Sequence, residues 1–241
     1  MNSQKLIKTY REWLFLAILF SLSQALFSAV PAIDLKVSSF FWSDQSGFWL
    51  SSHPGLNFLR RAFQIMTAAM FIASIAAWIC GAIADNLERK PLIGIPTRIW
   101  SSICILYAVG PLILVNGILK SYSGRARPSA IVEFGGTGEF TPAMHIADQC
   151  ETNCSFVSGE GAGAVAFCMA IFAIARHPPL RSFRIPMHAL GISVAIAASF
   201  LRVANGRHFL SDVVFSALIV IILASLINFF LIERAKRNYS A

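Results

Sequence analysis

Apolar residues occur along the chain in six long runs, separated by shorter segments that carry most of the charge. An α-helix crosses the roughly 30 Å hydrocarbon core of a bilayer with about 20 residues, so each run is long enough to be a transmembrane helix. The pattern therefore predicts an all-α fold, a six-helix membrane bundle forming a single domain over residues 1–241. The predicted spans lie near residues 12–31, 62–84, 99–119, 159–176, 186–203 and 209–232.

Two of these runs carry weaker helical signals than the others. Gly159, Gly161 and Gly163 thin the start of the fourth run, and Arg202 ends the fifth. Small residues at such spacing are typical of helices that pack closely inside a membrane. We therefore expect the fourth helix to have close neighbours.

The segment between the first two predicted spans is amphipathic and rich in aromatic side chains, whose rings favour the membrane–water interface. We expect one or two interfacial helices here, with a loop that lies on the headgroups as the alternative. The aromatic residues of this segment, which covers residues 34–58, are Phe40, Phe41, Trp42, Phe48, Trp49 and Phe58.

Composition supports a membrane protein, because 56% of the residues are hydrophobic and only 13% are charged. The net charge of +8 then indicates topology and contact with anionic lipid. Nucleic-acid binding is not expected, since the sequence has no basic patch interleaved with aromatic residues.

Lysine and arginine residues also predict the orientation of the bundle. Apart from the polar motifs described below, they concentrate in residues 1–11, 85–98, 177–185 and 233–241. The positive-inside rule places these segments, and so both termini, in the cytoplasm. The first run is longer than the core of a cleaved signal peptide and is expected to be retained. The chain is thus predicted to be a multi-pass protein of a bacterial inner membrane.

Three polar stretches stand at the ends of predicted spans, where charge is otherwise scarce. They are residues 120–128, residues 156–160 and residues 202–212. In a bundle of alternating helices, all these ends reach the same face of the membrane. We therefore expect one shared site, facing the periplasm.

The residue types in these stretches suit a phosphate group. Lys120, Arg127 and Arg202 can supply fixed positive charge, and arginine forms a fork that matches phosphate oxygens. Ser158 and Gly159 stand at a helix start, where free N–H groups bind anions. Taken singly, the cations would more often be interfacial anchors.

The third stretch also carries a candidate nucleophile. His208 is followed by Asp212 one helical turn later, on the same face, where a carboxylate could hold one ring nitrogen and free the other. Glu160 is a candidate general acid if apolar surroundings keep it protonated. Singly, the histidine and aspartate would more often have structural roles.

Further arginines near the site are candidate substrate contacts. Arg60 and Arg61 end the second span on the same side and could bind a second anionic group, although interfacial anchoring is the commoner role. Arg125 and Arg207 lie within the motifs themselves.

Together these residues resemble the type 2 phosphatidic acid phosphatase superfamily, the lipid phosphate phosphatases. Its pattern is Lys-x6-Arg-Pro, Pro-Ser-Gly-His and Ser-Arg-x5-His-x3-Asp. The first element matches fully from Lys120 to Pro128. The others match except that Val157 replaces proline, Glu160 replaces histidine and Leu201 replaces serine.

The resemblance implies a metal-independent phosphomonoesterase with no cofactor, in which His208 is the nucleophile and Asp212 its partner. The phosphate binders would be Lys120, Arg127, Ser158, Gly159 and Arg202. Glu160 would serve as the leaving-group acid only if it is protonated in the resting enzyme, or would instead contact a substrate hydroxyl or amine.

The variant Phe-Val-Ser-Gly-Glu sequence of residues 156–160 is similar to a bacterial subgroup that includes lipid A phosphatases and phosphatidylglycerophosphate phosphatases. Lipid A is the substrate that we expect, because its presentation on the periplasmic leaflet suits the predicted side. The alternatives are phosphatidylglycerophosphate, undecaprenyl pyrophosphate and phosphoryl transfer between lipids. A non-catalytic transporter or anionic-lipid binder is disfavoured, since a transporter would carry its polar groups near the middle of the membrane.

Two of the five cysteines, Cys150 and Cys154, lie close together in a polar loop. A metal site would need more ligands, for which His145 is a weak candidate. A local disulfide is compatible with this spacing if the loop faces an oxidising compartment.

Overall fold

The computed structural model describes residues 3–239 and is almost entirely helical. The first two and last two residues of the expected 1–241 domain lie outside the described residues. A short antiparallel hairpin, β1 (Trp42–Ser43) and β2 (Gly47–Phe48), is the sheet within the described range. The helices are α1 (Ser3–Ala29), α2 (Ala32–Ser39), α3 (Pro54–Asn86), α4 (Thr97–Tyr122), α5 (Gly159–Ile174), α6 (Arg184–Ala204) and α7 (Leu210–Tyr239).

Five segments of the described residues are long and apolar enough to cross a membrane, and the sixth predicted span is shorter. That span, expected at 159–176, is α5, whose 16 residues extend about 24 Å and fall short of a 30 Å core. The five longer segments are Thr9–Ala29, Pro54–Asn86, Thr97–Tyr122, Pro178–Ala204 and Leu210–Leu231.

Helix α5 lies at the centre of the bundle and packs against α3, α4, α6 and α7. Because protein surrounds it, it is apolar on every side. Its small residues allow the close packing that the sequence predicts: a Cβ added to Gly163 would lie 3.0 Å from Cγ2 of Thr67 on α3. The catalytic candidates at the start of α5 are thus held by a rigid core.

Helix α4 changes its winding partway along. Its first part, Thr97–Tyr107, is α-helical, and Ala108–Leu119 is wound as a wider π-helix before a last α-turn. Pro111 lies in the π-helical part, where Asn116 Nδ2 donates a hydrogen bond of 2.7 Å to its carbonyl. Such windings are rare and often occur beside functional sites.

The aromatic segment between α1 and α3 forms one helix and the hairpin, rather than two helices. Phe48 of β2 is buried and packs over Gly206, whose positive φ of 64° and missing side chain permit this contact. Phe40 and Phe58 remain exposed, as expected for rings at the interface. The hairpin therefore covers the turn between α6 and α7.

The connections between helices gather at the two ends of the bundle. The α3–α4 and α5–α6 connections meet at one end, where Gly94 packs against Pro179. The segment around α2, the long α4–α5 loop and the α6–α7 turn meet at the other, where Ser211 N donates to Asp34 and Ser129 N to Gly206. All three polar stretches belong to this second end.

Candidate active site

The structure brings the three polar stretches into direct contact. Cys154 N donates to the carbonyl of Lys120 at 3.2 Å, which joins the first stretch to the loop before α5. Ser158 N donates to the main-chain carbonyl of Asp212 at 3.2 Å, which joins the second stretch to the third. These bonds place His208 among the cations of α4 and α6.

His208 is buried, with 1% of its surface exposed, and its orientation is determined by a main-chain contact. Its Nδ1 lies 2.7 Å from the carbonyl oxygen of Ser155. A carbonyl can only accept, so Nδ1 carries the hydrogen and Nε2 keeps its lone pair. Burial lowers the pKa of this imidazole from 6.5 to about 4, with the charges of Arg202 and Lys120 adding to the effect, so the ring is neutral at pH 7.

Asp212 does not hold the imidazole as closely as the sequence predicts. Its Oδ2 lies 3.6 Å from His208 Nδ1, beyond hydrogen-bond distance, because Nδ1 points at the Ser155 carbonyl instead. The carboxylate accepts hydrogen bonds from Arg125 Nη1 at 2.6 Å, Ser155 Oγ at 2.5 Å and Phe209 N at 2.9 Å. Ser155, which sequence reasoning missed, therefore links the aspartate to the histidine.

Arg125 is fully buried, so the expectation that it contacts substrate is wrong. Its guanidinium donates to Asp212, to Asp34 Oδ2 at 2.8 Å and to the Thr141 carbonyl at 2.8 Å. It also lies 4.3 Å from the centre of the Phe209 ring. Two buried carboxylates and the Phe209 ring thus enclose Arg125, which the sequence groups with the cations of the first polar stretch.

Asp34 is the second partner that sequence reasoning missed. It is 1% exposed, and its Oδ1 accepts from Ser211 N at 2.8 Å, which caps the first turn of α7. Burial raises the pKa of this carboxyl above 3.8, against the lowering effect of Arg125. The available signal was a lone carboxylate between Ile33 and Leu35 in an otherwise apolar stretch.

Lys120 and Arg127 converge on one residue of the loop before α5. Lys120 Nζ donates to Asn153 Oδ1 at 3.2 Å, and Arg127 donates to the Asn153 carbonyl from Nε at 3.2 Å and Nη2 at 2.7 Å. Burial lowers the pKa of Arg127, and the charge of exposed Arg207 lowers it further. Arg207 therefore lies close enough to the site to be felt electrostatically.

Glu160 is paired with two arginines, which is not the environment that a resting general acid requires. Arg60 Nη2 lies 2.7 Å from Oε1 and Arg60 Nε lies 2.9 Å from Oε2, a two-pronged ion pair. Arg202 Nη1 lies 3.2 Å from Oε1. These cations favour the ionised carboxylate. Arg61, one residue further along α3, is exposed and lies outside the cavity lining.

The start of α5 is shaped to bring Lys120 close to its main chain. Ser158 caps the helix through its Oγ, which accepts from Gly161 N at 3.2 Å. A Cβ on Gly159 would lie 3.2 Å from Lys120 Nζ and would collide with Asn116 Oδ1. Glycine is thus needed for this approach, and Asn116 is a further site residue that sequence reasoning missed.

A cavity of about 430 Å³ opens from this polar centre into the space between α3, α4, α5 and α6. Its polar end is lined by Arg60, Lys120, Glu160 and Asn116. The rest of the lining is mostly apolar, and two of its residues, Leu112 and Ala68, are exposed. Apolar lining residues include Phe63, Ala68, Phe71, Leu112, Ala164 and Ala198.

The loop before α5 contains a disulfide between Cys150 and Cys154. His145 does not join them, because its Nδ1 lies 3.1 Å from the Ala143 carbonyl. Within residues 3–239, the His, Cys, Asp and Glu side chains form no group of three or more that could hold a metal ion.

Comparison with known proteins relates this site to one family. The model of the PAP2 superfamily matches residues 101–234, which include all three polar stretches. A lipid A 4'-phosphatase of Rhizobium etli is 32% identical, over 78% of this chain and 75% of that protein. Lipid A 4'-phosphatases of Rhizobium leguminosarum and Francisella tularensis subsp. novicida are 29% and 27% identical, over 84% and 81% of this chain and 86% and 85% of those proteins.

A solved structure shares the fold. The crystal structure of a transmembrane PAP2-type phosphatidylglycerolphosphate phosphatase from Bacillus subtilis superposes with a TM-score of 0.57 at 22% identity. The match covers 92% of this chain and 95% of that one. The predicted helical membrane fold is thereby confirmed.

Proposed function

The chain belongs to the PAP2 superfamily, and from this premise we propose that it removes a phosphate from a membrane lipid through a phosphohistidine intermediate on His208. The family and the relatives make it a phosphoric monoester hydrolase of the membrane. One observation carries the proposal: His208 Nδ1 is occupied by the Ser155 carbonyl. The neutral ring therefore offers the lone pair of Nε2 to a phosphorus atom.

The cations and N–H donors around His208 are assigned to the phosphate. Arg202 Nε is buried and has no hydrogen-bond partner among the described residues, so it is available to a phosphate oxygen. Lys120, Arg127, the Ser158 hydroxyl and the amide of Gly159 complete the cradle. Fixed cations of this kind stabilise the charge on the equatorial oxygens of a phosphoryl group in transit, and the mechanism uses no metal ion.

The reaction takes two steps. In the first, Nε2 of His208 forms a bond to phosphorus while the bond to the lipid oxygen breaks. The leaving alkoxide takes a proton from a water molecule at the polar end of the cavity. In the second, the resulting hydroxide attacks phosphorus, the N–P bond breaks with its electrons returning to Nε2, and inorganic phosphate leaves.

Glu160 is assigned a positioning role instead of the acid role. Its contacts with Arg60 and Arg202 tie α3 and α6 together across the polar end of the cavity. By holding Arg202 through Nη1, it leaves Nε of that arginine directed to the phosphate. Asp212 acts on His208 through Ser155 and through its negative charge.

The cavity supports a lipid as the substrate class. An apolar chamber that continues from a phosphate-binding end suits a phosphate joined to acyl chains, and its exposed lining residues on α3 and α4 suit entry from the bilayer. Among such lipids, we propose lipid A, because the relatives at 27–32% identity are named for it. Phosphatidylglycerophosphate, undecaprenyl pyrophosphate and lipid-to-lipid phosphoryl transfer are the alternatives for the test below.

The orientation is proposed from charge. Arg89, Lys90, Arg98, Arg181 and Arg184 all lie at or beside the end of the bundle opposite the site. The positive-inside rule makes that end cytoplasmic and directs the site to the periplasmic leaflet of a bacterial inner membrane. Both termini are then cytoplasmic.

A direct assay tests the proposal. The purified protein, in detergent with a chelator, is given lipid A, phosphatidylglycerophosphate and undecaprenyl pyrophosphate, and released phosphate is measured. With ³²P-labelled lipid A, we expect the wild type to release phosphate and to give a ³²P-labelled protein on rapid quenching. His208→Ala should do neither. Release at the normal rate by His208→Ala would rule out the phosphohistidine, and loss of activity with chelator would rule out metal independence.

A further inference from the structure

A five-residue ring, closed by the Cys150–Cys154 disulfide, lies beside Lys120 and Arg127. The main chain beside the ring is bonded to the stretch that carries the cations. Cys154 N donates to the Lys120 carbonyl at 3.2 Å, and Ser155 N donates to the Arg125 carbonyl at 2.8 Å. The ring is therefore attached to the same segment whose side chains it faces.

Asn153 is the residue of this ring that contacts the cations. Its side-chain Oδ1 accepts from Lys120 Nζ, and its main-chain carbonyl accepts from Nε and Nη2 of Arg127. The residue has a φ of 53°, a left-handed conformation that asparagine tolerates better than most residues. This conformation is part of how one residue reaches both cations.

We propose that Asn153 is a positioning residue for phosphate, holding Lys120 and Arg127 in place while the disulfide ring holds Asn153. The inference rests on the proposed function, since it needs these two cations to bind phosphate. Nothing in the family pattern includes this position, which lies between the first and second motifs.

The donors that Asn153 leaves free are sufficient for substrate. A guanidinium has five N–H groups and an ammonium has three. Asn153 accepts from two N–H groups of Arg127 and one of Lys120. Nη1 of Arg127 and two of the three lysine donors therefore remain available to substrate. The contact therefore orients the cations without neutralising them, because an amide carries no net charge.

Such orientation matters because both side chains are long and carry like charge. Unrestrained, they would separate and sample several rotamers, and the substrate would have to reorder them on binding. A site whose donors are already oriented binds the phosphoryl group without that cost. Loss of the contacts from Asn153 to Lys120 and Arg127 is thus expected to weaken phosphate binding. His208 and its partners should be unchanged.

Three variants separate the parts of this contact. Asn153→Gly removes Oδ1 but tolerates the positive φ and keeps the main-chain carbonyl, so it releases Lys120 alone. Asn153→Asp keeps the shape and adds a negative charge that repels phosphate. The double variant Cys150→Ser, Cys154→Ser opens the ring and loosens both contacts. Thr152→Ala, in the same ring, is the matched control.

The experiment measures KM and kcat for lipid A hydrolysis and the inhibition constant of inorganic phosphate. We expect the inhibition constant and KM to rise about 10-fold in Asn153→Gly and in the open-ring variant, and further in Asn153→Asp, with a smaller change in kcat. Thr152→Ala should match the wild type. Added salt should not restore Asn153→Gly, because that variant lacks an orienting contact and not a charge.

The failure of this inference differs from the failure of the proposed function. If the wild type hydrolyses lipid A and both Asn153 variants keep its inhibition constant for phosphate, Asn153 has no positioning role. If the wild type neither releases phosphate nor is inhibited by it, the phosphatase assignment itself fails. A fall in kcat alone, with KM and the inhibition constant unchanged, would also overturn the inference.

Discussion

The guanidinium of Arg125 donates to the carboxylate of Asp212 at 2.6 Å, and neither side chain has measurable exposure. The same guanidinium donates to Asp34 on α2. One buried cation thus connects α2, the motif stretch after α4 and the first turn of α7. Asp212, beside the proposed nucleophile His208, is thus held by an arginine at a position that the family pattern leaves unspecified and, through it, by α2.

Removing this cation should destabilise the protein strongly. Arg125→Met would leave Asp34 and Asp212 buried without their charge partner, which typically costs about 3–5 kcal/mol. Denaturant unfolding of the detergent-solubilised protein measures the loss. Arg61→Met is the control, since that arginine is exposed and should change stability by no more than about 0.5 kcal/mol. Equal effects of the two variants would show that the buried pair is not stabilising.

The titration of His208 gives a prediction about stability and pH. The pKa of the ring is about 4 in the folded protein and near 6.5 when exposed, so the unfolded chain binds more protons between these values. The stability that His208 contributes is therefore present above pH 6.5 and is lost as the pH falls towards 4. Between pH 7.5 and pH 4.5, the wild type should lose roughly 2–3 kcal/mol relative to His208→Gln. Parallel stability curves for the two proteins would contradict a buried neutral imidazole.

Hydropathy and motif spacing predict much of this molecule, including the helical class and the meeting of the three stretches. Hydropathy does not show that α5 is short and enclosed by protein, because helices in contact with lipid and helices buried in protein are built from the same apolar residues. The burial of Arg125 is equally hidden, since an arginine among other cations gives no sign of its partner on α2. The contact between His208 and Ser155 depends on the path of the main chain, which side-chain patterns do not describe.

The ion pairs of Glu160 predict how a neutral replacement should behave. If Glu160 positions Arg202, Glu160→Gln should lower kcat/KM about 10-fold and leave the shape of its pH profile unchanged. Arg60→Met should produce a similar loss, and the double variant should lose little more, because both changes break the same contact. Loss of the basic limb of the profile in Glu160→Gln would instead identify this carboxyl as the proton donor.

Filling the apolar cavity should select against long acyl chains without affecting the chemistry. Ala68 lines the cavity from α3 and is exposed, so a larger ring at this position can enter the cavity without displacing the core. Ala68→Phe should raise KM for a long-chain lipid phosphate about 10-fold, while turnover of a water-soluble phosphate monoester stays at the wild-type value. Ala69→Phe is the matched control, because it adds the same ring one position along α3, where the side chain lies outside the cavity lining. Equal KM values for the lipid in Ala68→Phe and Ala69→Phe would mean that the acyl chains bind elsewhere. A fall in turnover of both substrates in Ala68→Phe would mean that the added ring disturbs the phosphate site itself.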